Sequence, residues 1–166
     1  MYYARFHGFT LIELITTLSV AAIILTVGVP GFQTMVQNNR LTTDINRLIT
    51  DLNLARMEAI KRGQDVTICK RNTAGTDCDD ANTWDLGWIV FSDPDRDGVV
   101  DAGEEIIRVT AELDTGISLT YGKDQVTYDS QGFSYGFAGS FVMSDARGSD
   151  YAKTRVISNA GRIRID

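Results

Sequence analysis

Apolar residues occupy every face of the stretch from Phe9 to Val29, FTLIELITTLSVAAIILTVGV, in which Glu13 carries the only charge. As a helix these 21 residues rise roughly 31 Å at about 1.5 Å each, enough to cross the hydrocarbon core of a bilayer. A helix buried on one side would show a single apolar stripe, and this segment does not. Pro30-Gly31 follow and predict a kink or local loosening. Beyond them Leu41, Ile45, Leu48, Leu52, Ala55 and Ala59 recur every three or four residues, the spacing of an amphipathic helix. Lys61-Arg62-Gly63 puts bases in the last turn and a glycine just past it. One helix is therefore expected from about residue 9 to 62, roughly 80 Å if continuous, its first half facing lipid or neighbours and its second half a core.

After Gly63 the period changes to that of strands. Val66–Lys70, Trp88–Ser92, Glu105–Val109, Ile117–Tyr121, Val126–Tyr128, Ser140–Ser144 and Thr154–Ser158 each read as one, with turn signals at Asp97-Gly98, Gln131-Gly132 and Ala160-Gly161. One N-terminal helix followed only by strands gives an α+β class with a mainly antiparallel sheet.

Composition refines this reading. A chain of 166 residues, 43% hydrophobic and 23% charged, suits one folded head with a core of its own. A net charge of −6 argues against wholesale coating of nucleic acid, and a mean hydropathy of −0.09 against several membrane spans. The averages hide segregation. Between Asp77 and Asp114 acids outnumber bases twelve to two, whereas from Arg147 onward five bases face two acids.

The N-terminus does not read as a cleaved secretory signal: the apolar run is too long and no Ala-x-Ala site follows it. The distinctive junction precedes the run, at Gly8-Phe9-Thr10-Leu11-Ile12-Glu13. Arg5, and His7 when charged, keep the leading residues cytoplasmic and send the remainder across the membrane. This junction resembles the processing site of type IV prepilins and type II secretion pseudopilins. The resemblance implies cleavage between Gly8 and Phe9 by a membrane prepilin peptidase and N-methylation of Phe9. It also implies that Glu13 neutralises the N-terminal amine of a neighbouring subunit during filament assembly. A carboxylate in the bilayer interior costs about 2.5–3.5 kcal/mol on insertion scales, so a purpose for Glu13 is expected. The plainer reading is a Glu near a helix end that reaches the interface.

Ala55-Arg56-Met57-Glu58-Ala59-Ile60-Lys61-Arg62 resembles the corresponding helix end of the GspH/FimT family of minor pilins and pseudopilins, and also fits ordinary helix with Glu58–Arg62 paired at i,i+4. Cys69 and Cys78 followed by Trp84-Asp85-Leu86-Gly87-Trp88-Ile89-Val90-Phe91 again resemble heads of that family. With the head in an oxidising compartment the two cysteines are expected to form one disulfide, a loop staple without chemistry of its own.

Asp93 to Glu104, DPDRDGVVDAGE, matches the EF-hand loop pattern D-x-D-x-D-G-x5-E. Strand-like WIVFS and EIIRV flank it where an EF-hand needs helices. It therefore reads first as an acidic solvated hairpin turn, with Asp93, Asp95, Asp97, Asp101 and Glu104 as calcium candidates. No other cofactor is expected. At the other end Gly161-Arg162-Ile163-Arg164 looks like the C-terminal GRxR motif of FimT-type minor pilins that capture DNA for natural transformation. Strand alternation sends both guanidiniums to one side, a geometry suited to phosphate oxygens. The resemblance implies Arg162 and Arg164 as DNA contacts, with Arg155, Lys153 and Arg147 as neighbours. Two Arg on an edge strand also serve simply to block edge pairing.

The sole His lies in the leader, so no Ser-His-Asp or Cys-His site is available and no enzyme is expected. The chain is expected to comprise a leader (1–8), a transmembrane or filament-core helix (9–29), an amphipathic helix half (30–63) and a β-rich extracytoplasmic head (64–166). The family resemblance implies a FimT/FimU-like minor type IV pilin, held in the inner membrane with its head in the periplasm. It would partner other major and minor pilins, the prepilin peptidase and DNA. The rival is a GspH-like minor pseudopilin of type II secretion.

Overall fold

Helix α1 (Leu11–Arg62) is one 52-residue element in the computed structural model, which describes residues 8–165. It opens on a reciprocal cap. Glu13 N–H donates to Thr10 Oγ1 at 3.3 Å, while Thr10 donates its hydroxyl and amide to Glu13 Oε2 at 3.2 and 3.4 Å. This Thr-x-x-Glu box satisfies donors that a helix start leaves unpaired. The helix assignment continues through Pro30. Along the apolar stretch the hydroxyls of Thr16, Thr17, Ser19 and Thr26 donate to carbonyls three or four residues back, so its polar side chains are satisfied within the helix itself. The helix ends as the sequence indicates: Gly63, at φ +68°, donates its amide to Ala59 O at 2.9 Å.

The chain divides into two compact units, one through Asn39 and one from Arg40 onward. In the first, the side chains from Phe9 to Val29 are exposed, and by length and composition the segment suffices to cross a membrane. In the second, burial begins at Leu41 and continues through Ile45, Leu48, Leu52, Ala55 and Ala59, the predicted apolar stripe.

Eight strands build the head: β1 (Val66–Lys70), β2 (Trp88–Ser92), β3 (Ile106–Thr110), β4 (Ile117–Thr120), β5 (Gln125–Tyr128), β6 (Gly139–Asp145), β7 (Lys153–Ile157) and β8 (Ile163–Ile165). They form two antiparallel four-stranded sheets, ordered β3-β2-β1-β5 and β4-β6-β7-β8, where the periodicity alone suggested a single sheet. Both sheets pack on the α1 stripe. Ile68, Trp88, Val90, Val126 and Tyr128 come from the first, and Leu119, Phe141, Met143 and Ile157 from the second. Trp84, Tyr121 and Phe141 interlock beside them, with Tyr121 stacked on Phe141 at 3.9 Å between ring centres and Trp84 edge-on to both.

The β1–β2 sheet is buried on both faces. Cys69, Ile89 and Phe91 alternate away from α1 into a second small cluster closed by Cys78, Val100 and Ile106. That cover comes from two loops, the disulfide loop and the acidic β2–β3 connection, tied together where Asp77 Oδ1 accepts the Val100 amide at 3.1 Å. Cys69 and Cys78 are disulfide-bonded.

Candidate functional site

Three places carry the residues singled out by the sequence. At the start of the described chain, Gly8 and Phe9 lie ahead of α1, outside any helix or strand, and both are exposed. Such a segment offers its peptide bonds to a protease, because none is locked in the helical ladder. The leader residues before Gly8 fall outside the described chain. Glu13, two residues into α1, closes the capping box with Thr10 and is exposed. Its carboxylate accepts local donors and has no cation beside it among the described residues.

The second place is the carboxyl-terminal hairpin. β7 and β8 pair Arg155 with Ile165, Val156 with Arg164 and Ile157 with Ile163. Ile157 and Ile163 therefore face the core, and Arg162 and Arg164 the opposite side, where both are exposed. On that outer face of the sheet stand Ser118, Thr120, Ser140, Val142, Ser144, Thr154 and Val156, a surface of hydroxyls and methyls with no carboxylate along the strands. No hydrogen bond or ion pair engages either guanidinium among the described residues. The turn that aims them is fixed. Gly161, at φ +70°, sits where a Cβ would run into the Gly132 carbonyl. Ser134, fully buried, donates its amide to Asn159 O at 2.9 Å and its hydroxyl to Ser158 O at 3.0 Å.

The remaining basic candidates are placed differently. Arg155, 9% exposed, lies on the inner face opposite Phe141, with Nη1 donating to Thr154 O at 2.7 Å. The sequence held the warning, since Arg155 shares its strand face with Ile157. Arg147 is paired to Asp145 at 2.7 Å and lies over the Tyr151 ring at 4.2 Å. Its guanidinium holds the Asp145 carboxyl below the usual range. Lys153 is half-buried on β7. Of the five bases singled out by the sequence, Arg162 and Arg164 are the exposed ones.

The third place is the β2–β3 loop. Asp93, Asp95 and Asp97 bring one carboxylate oxygen each within 4.8 Å of one another. Asp95 and Asp97 are exposed and Asp93 is fully buried. Of the other two candidates, Asp101 is exposed and donates its amide to the Glu104 carboxylate at 2.9 Å.

Sequence reasoning passed over Asp51. This α1 carboxylate is 1% exposed amid the apolar stripe and accepts from Trp88 Nε1 at 2.9 Å and Thr110 Oγ1 at 2.7 Å. Its signal was an acid one residue before Leu52 on the largely apolar face that it shares with Asp44.

Comparison with known proteins gives the following. The family described as "Type II transport protein GspH" matches residues 44–161, and the "Prokaryotic N-terminal methylation motif" matches residues 3–29. Among solved structures, the type IV minor pilin FimU of Pseudomonas aeruginosa is similar at 19% identity and a TM-score of 0.60, over 80% of this chain and 92% of that one. The minor pseudopilin EpsH from the type 2 secretion system of Vibrio cholerae is similar at 14% identity and a TM-score of 0.54, over 76% of this chain and 96% of that one. These likenesses concern the fold. No curated protein matches the chain in sequence.

Proposed function

We propose, from the fact that this chain belongs to the GspH family, that it serves as a minor subunit of a type IV pilus with a DNA-facing surface at Arg162 and Arg164. Family and methylation motif together make it a minor pilin or pseudopilin. The observation that carries the assembly role is an exposed apolar helix that opens on GFTLIE and bears one carboxylate, Glu13, attached to a GspH-type head. Prepilin peptidase releases Phe9, other pilins surround the helix after leaving the inner membrane, and the head stays on the periplasmic side until assembly. Glu13 then meets the amine of the adjacent subunit.

The capping box gives Glu13 a second, purely structural use, and the two uses separate experimentally. A Gln at that position keeps the helix cap and removes the charge. Glu13→Gln in cells should be processed and membrane-inserted yet scarce in sheared filaments. Incorporation equal to wild type would reject the charge role.

The rival, a minor pseudopilin of type II secretion, is compatible with the family's own description. The outer face, without a carboxylate along its described strands and ending in two Arg that have no partner among the described residues, supports the pilus reading, because that surface suits a polyanion. A deletion strain assayed for pili, DNA uptake and exoprotein secretion distinguishes them. Loss of secretion with pili and uptake intact selects the rival.

A further inference from the structure

An acidic hairpin turn by itself is only a solvated loop, and one atom sets this loop apart. Asp93 is 0% exposed, and its Oδ1 is buried without a hydrogen-bond partner. Its Oδ2 is engaged by the Thr67 hydroxyl at 2.5 Å. A buried carboxylate oxygen with no donor is costly, and native structures rarely leave one.

Asp93 is also the buried member of the group in which Asp93, Asp95 and Asp97 bring their carboxylates together. The single base within this stretch does not fill the gap: Arg96, at φ +66°, turns away and pairs with Asp65. Gly98, at φ +77°, passes where a Cβ would strike the Gln125 side chain, which brings the loop down onto the first sheet. Asp95 and Asp97 remain open to solvent, leaving an entry route.

We propose that the β2–β3 loop binds one calcium ion through the carboxylates of Asp93, Asp95 and Asp97. Oxygen-only donors on a loop suit calcium, which takes six to eight such ligands, better than magnesium, which demands a tight octahedron and sheds water reluctantly. Zinc is disfavoured because no His or Cys joins the group. With strands rather than helices on either side, the ion opens no helix pair. It fixes the loop over Thr67 and the outer face of the β1–β2 sheet, so its effect is on the stability of the head.

The test uses the full chain in detergent micelles, stripped of divalent ions. Calcium chloride is titrated to about 10 mM by calorimetry with parallel thermal melts, and magnesium chloride serves as comparison. Asp95→Asn with Asp97→Asn alters only exposed side chains, and Glu112→Gln with Asp150→Asn removes the same charge elsewhere. Expected are saturable uptake of one calcium per chain in the sub-millimolar to millimolar range, a higher melting temperature with calcium than with magnesium, and at least tenfold weaker binding in the loop variant alone. No saturable uptake, or uptake equally strong in the loop variant, overturns the proposal.

Discussion

The indole N–H of Trp88 donates to the Asp51 carboxylate at 2.9 Å, joining the central strand of the first sheet to the buried face of α1. The same oxygen accepts the Thr110 hydroxyl at 2.7 Å, and Arg108 stands 3.7 Å from the other one. A carboxyl group inside an apolar stripe is tolerated because each contact is a donor it needs. Replacing Asp51 by Leu strands two buried donors at about 1–3 kcal/mol each, so Asp51→Leu should destabilise the head by about 2–6 kcal/mol in denaturant unfolding. Asp51→Asn keeps an acceptor and should cost distinctly less. Equal losses for the two would show that packing, not hydrogen bonding, is what Asp51 supplies.

Cys69 is fully buried against Ile89 and Phe91, and its bond to Cys78 closes a short loop, nine residues apart in sequence. In the chain-entropy view such a closure is worth about 2–3 kcal/mol. Cys78→Ser should lower head stability by about that amount, and reductant should lower the wild-type melting temperature while leaving the variant's unchanged.

Gly161 faces the Gly132 carbonyl at a φ that side chains rarely adopt. Gly161→Ala should destabilise the β7–β8 turn by about 1–3 kcal/mol. Amide exchange should accelerate in residues 158–165 first, ahead of the rest of the head.

Acid should weaken the head in a defined window. Arg62, helped by Lys61, holds the Glu58 carboxyl below its usual 4.5, and Arg147 holds Asp145 below its usual 3.8. A carboxyl lowered by folding stabilises above its unfolded value and loses that contribution as pH falls through its folded value. Melting temperature should therefore drop as pH falls below about 4.5, and Glu58→Gln with Asp145→Asn should flatten the drop. Asp44 has the opposite sign. Burial and then the Asp114 charge raise its carboxyl, whose Oδ2 has no partner, so its ionisation costs stability as pH rises. Asp44→Asn should raise the melting temperature at pH 7.

Arg162 and Arg164 are exposed with no partner among the described residues, and the described strands beside them carry no carboxylate on the outer face. Arg162→Ala with Arg164→Ala should weaken retention of duplex DNA by the full chain in micelles at low salt, for all sequences alike, and flatten its salt dependence. Arg147→Ala, which removes a paired base, should change it little. Unaltered retention in the Arg162/Arg164 variant rejects the DNA surface.

Much of this architecture was legible in the sequence because it rests on periodicity. The stripe from Leu41 to Ala59 and strands such as Val66–Lys70 and Trp88–Ser92 match the structure residue for residue, since burial on fixed faces dictates those spacings. The division into two sheets was not legible: it depends on which strands pair across loops, and short strands carry no register information across distance. Asp51 and Asp93 were opaque for a related reason. A carboxylate reads as a surface residue until the donors that meet it, Trp88 and Thr67, come from strands remote in sequence. The N-terminal features lie within six consecutive residues, which is why a motif alone displays them.

The most direct test is mass spectrometry of the chain's N-terminus in filaments sheared from cells. The account predicts a chain that begins with N-methylated Phe9, followed by Thr10. A filament-associated chain that begins at Met1, or a complete failure to recover the chain with filaments, contradicts it.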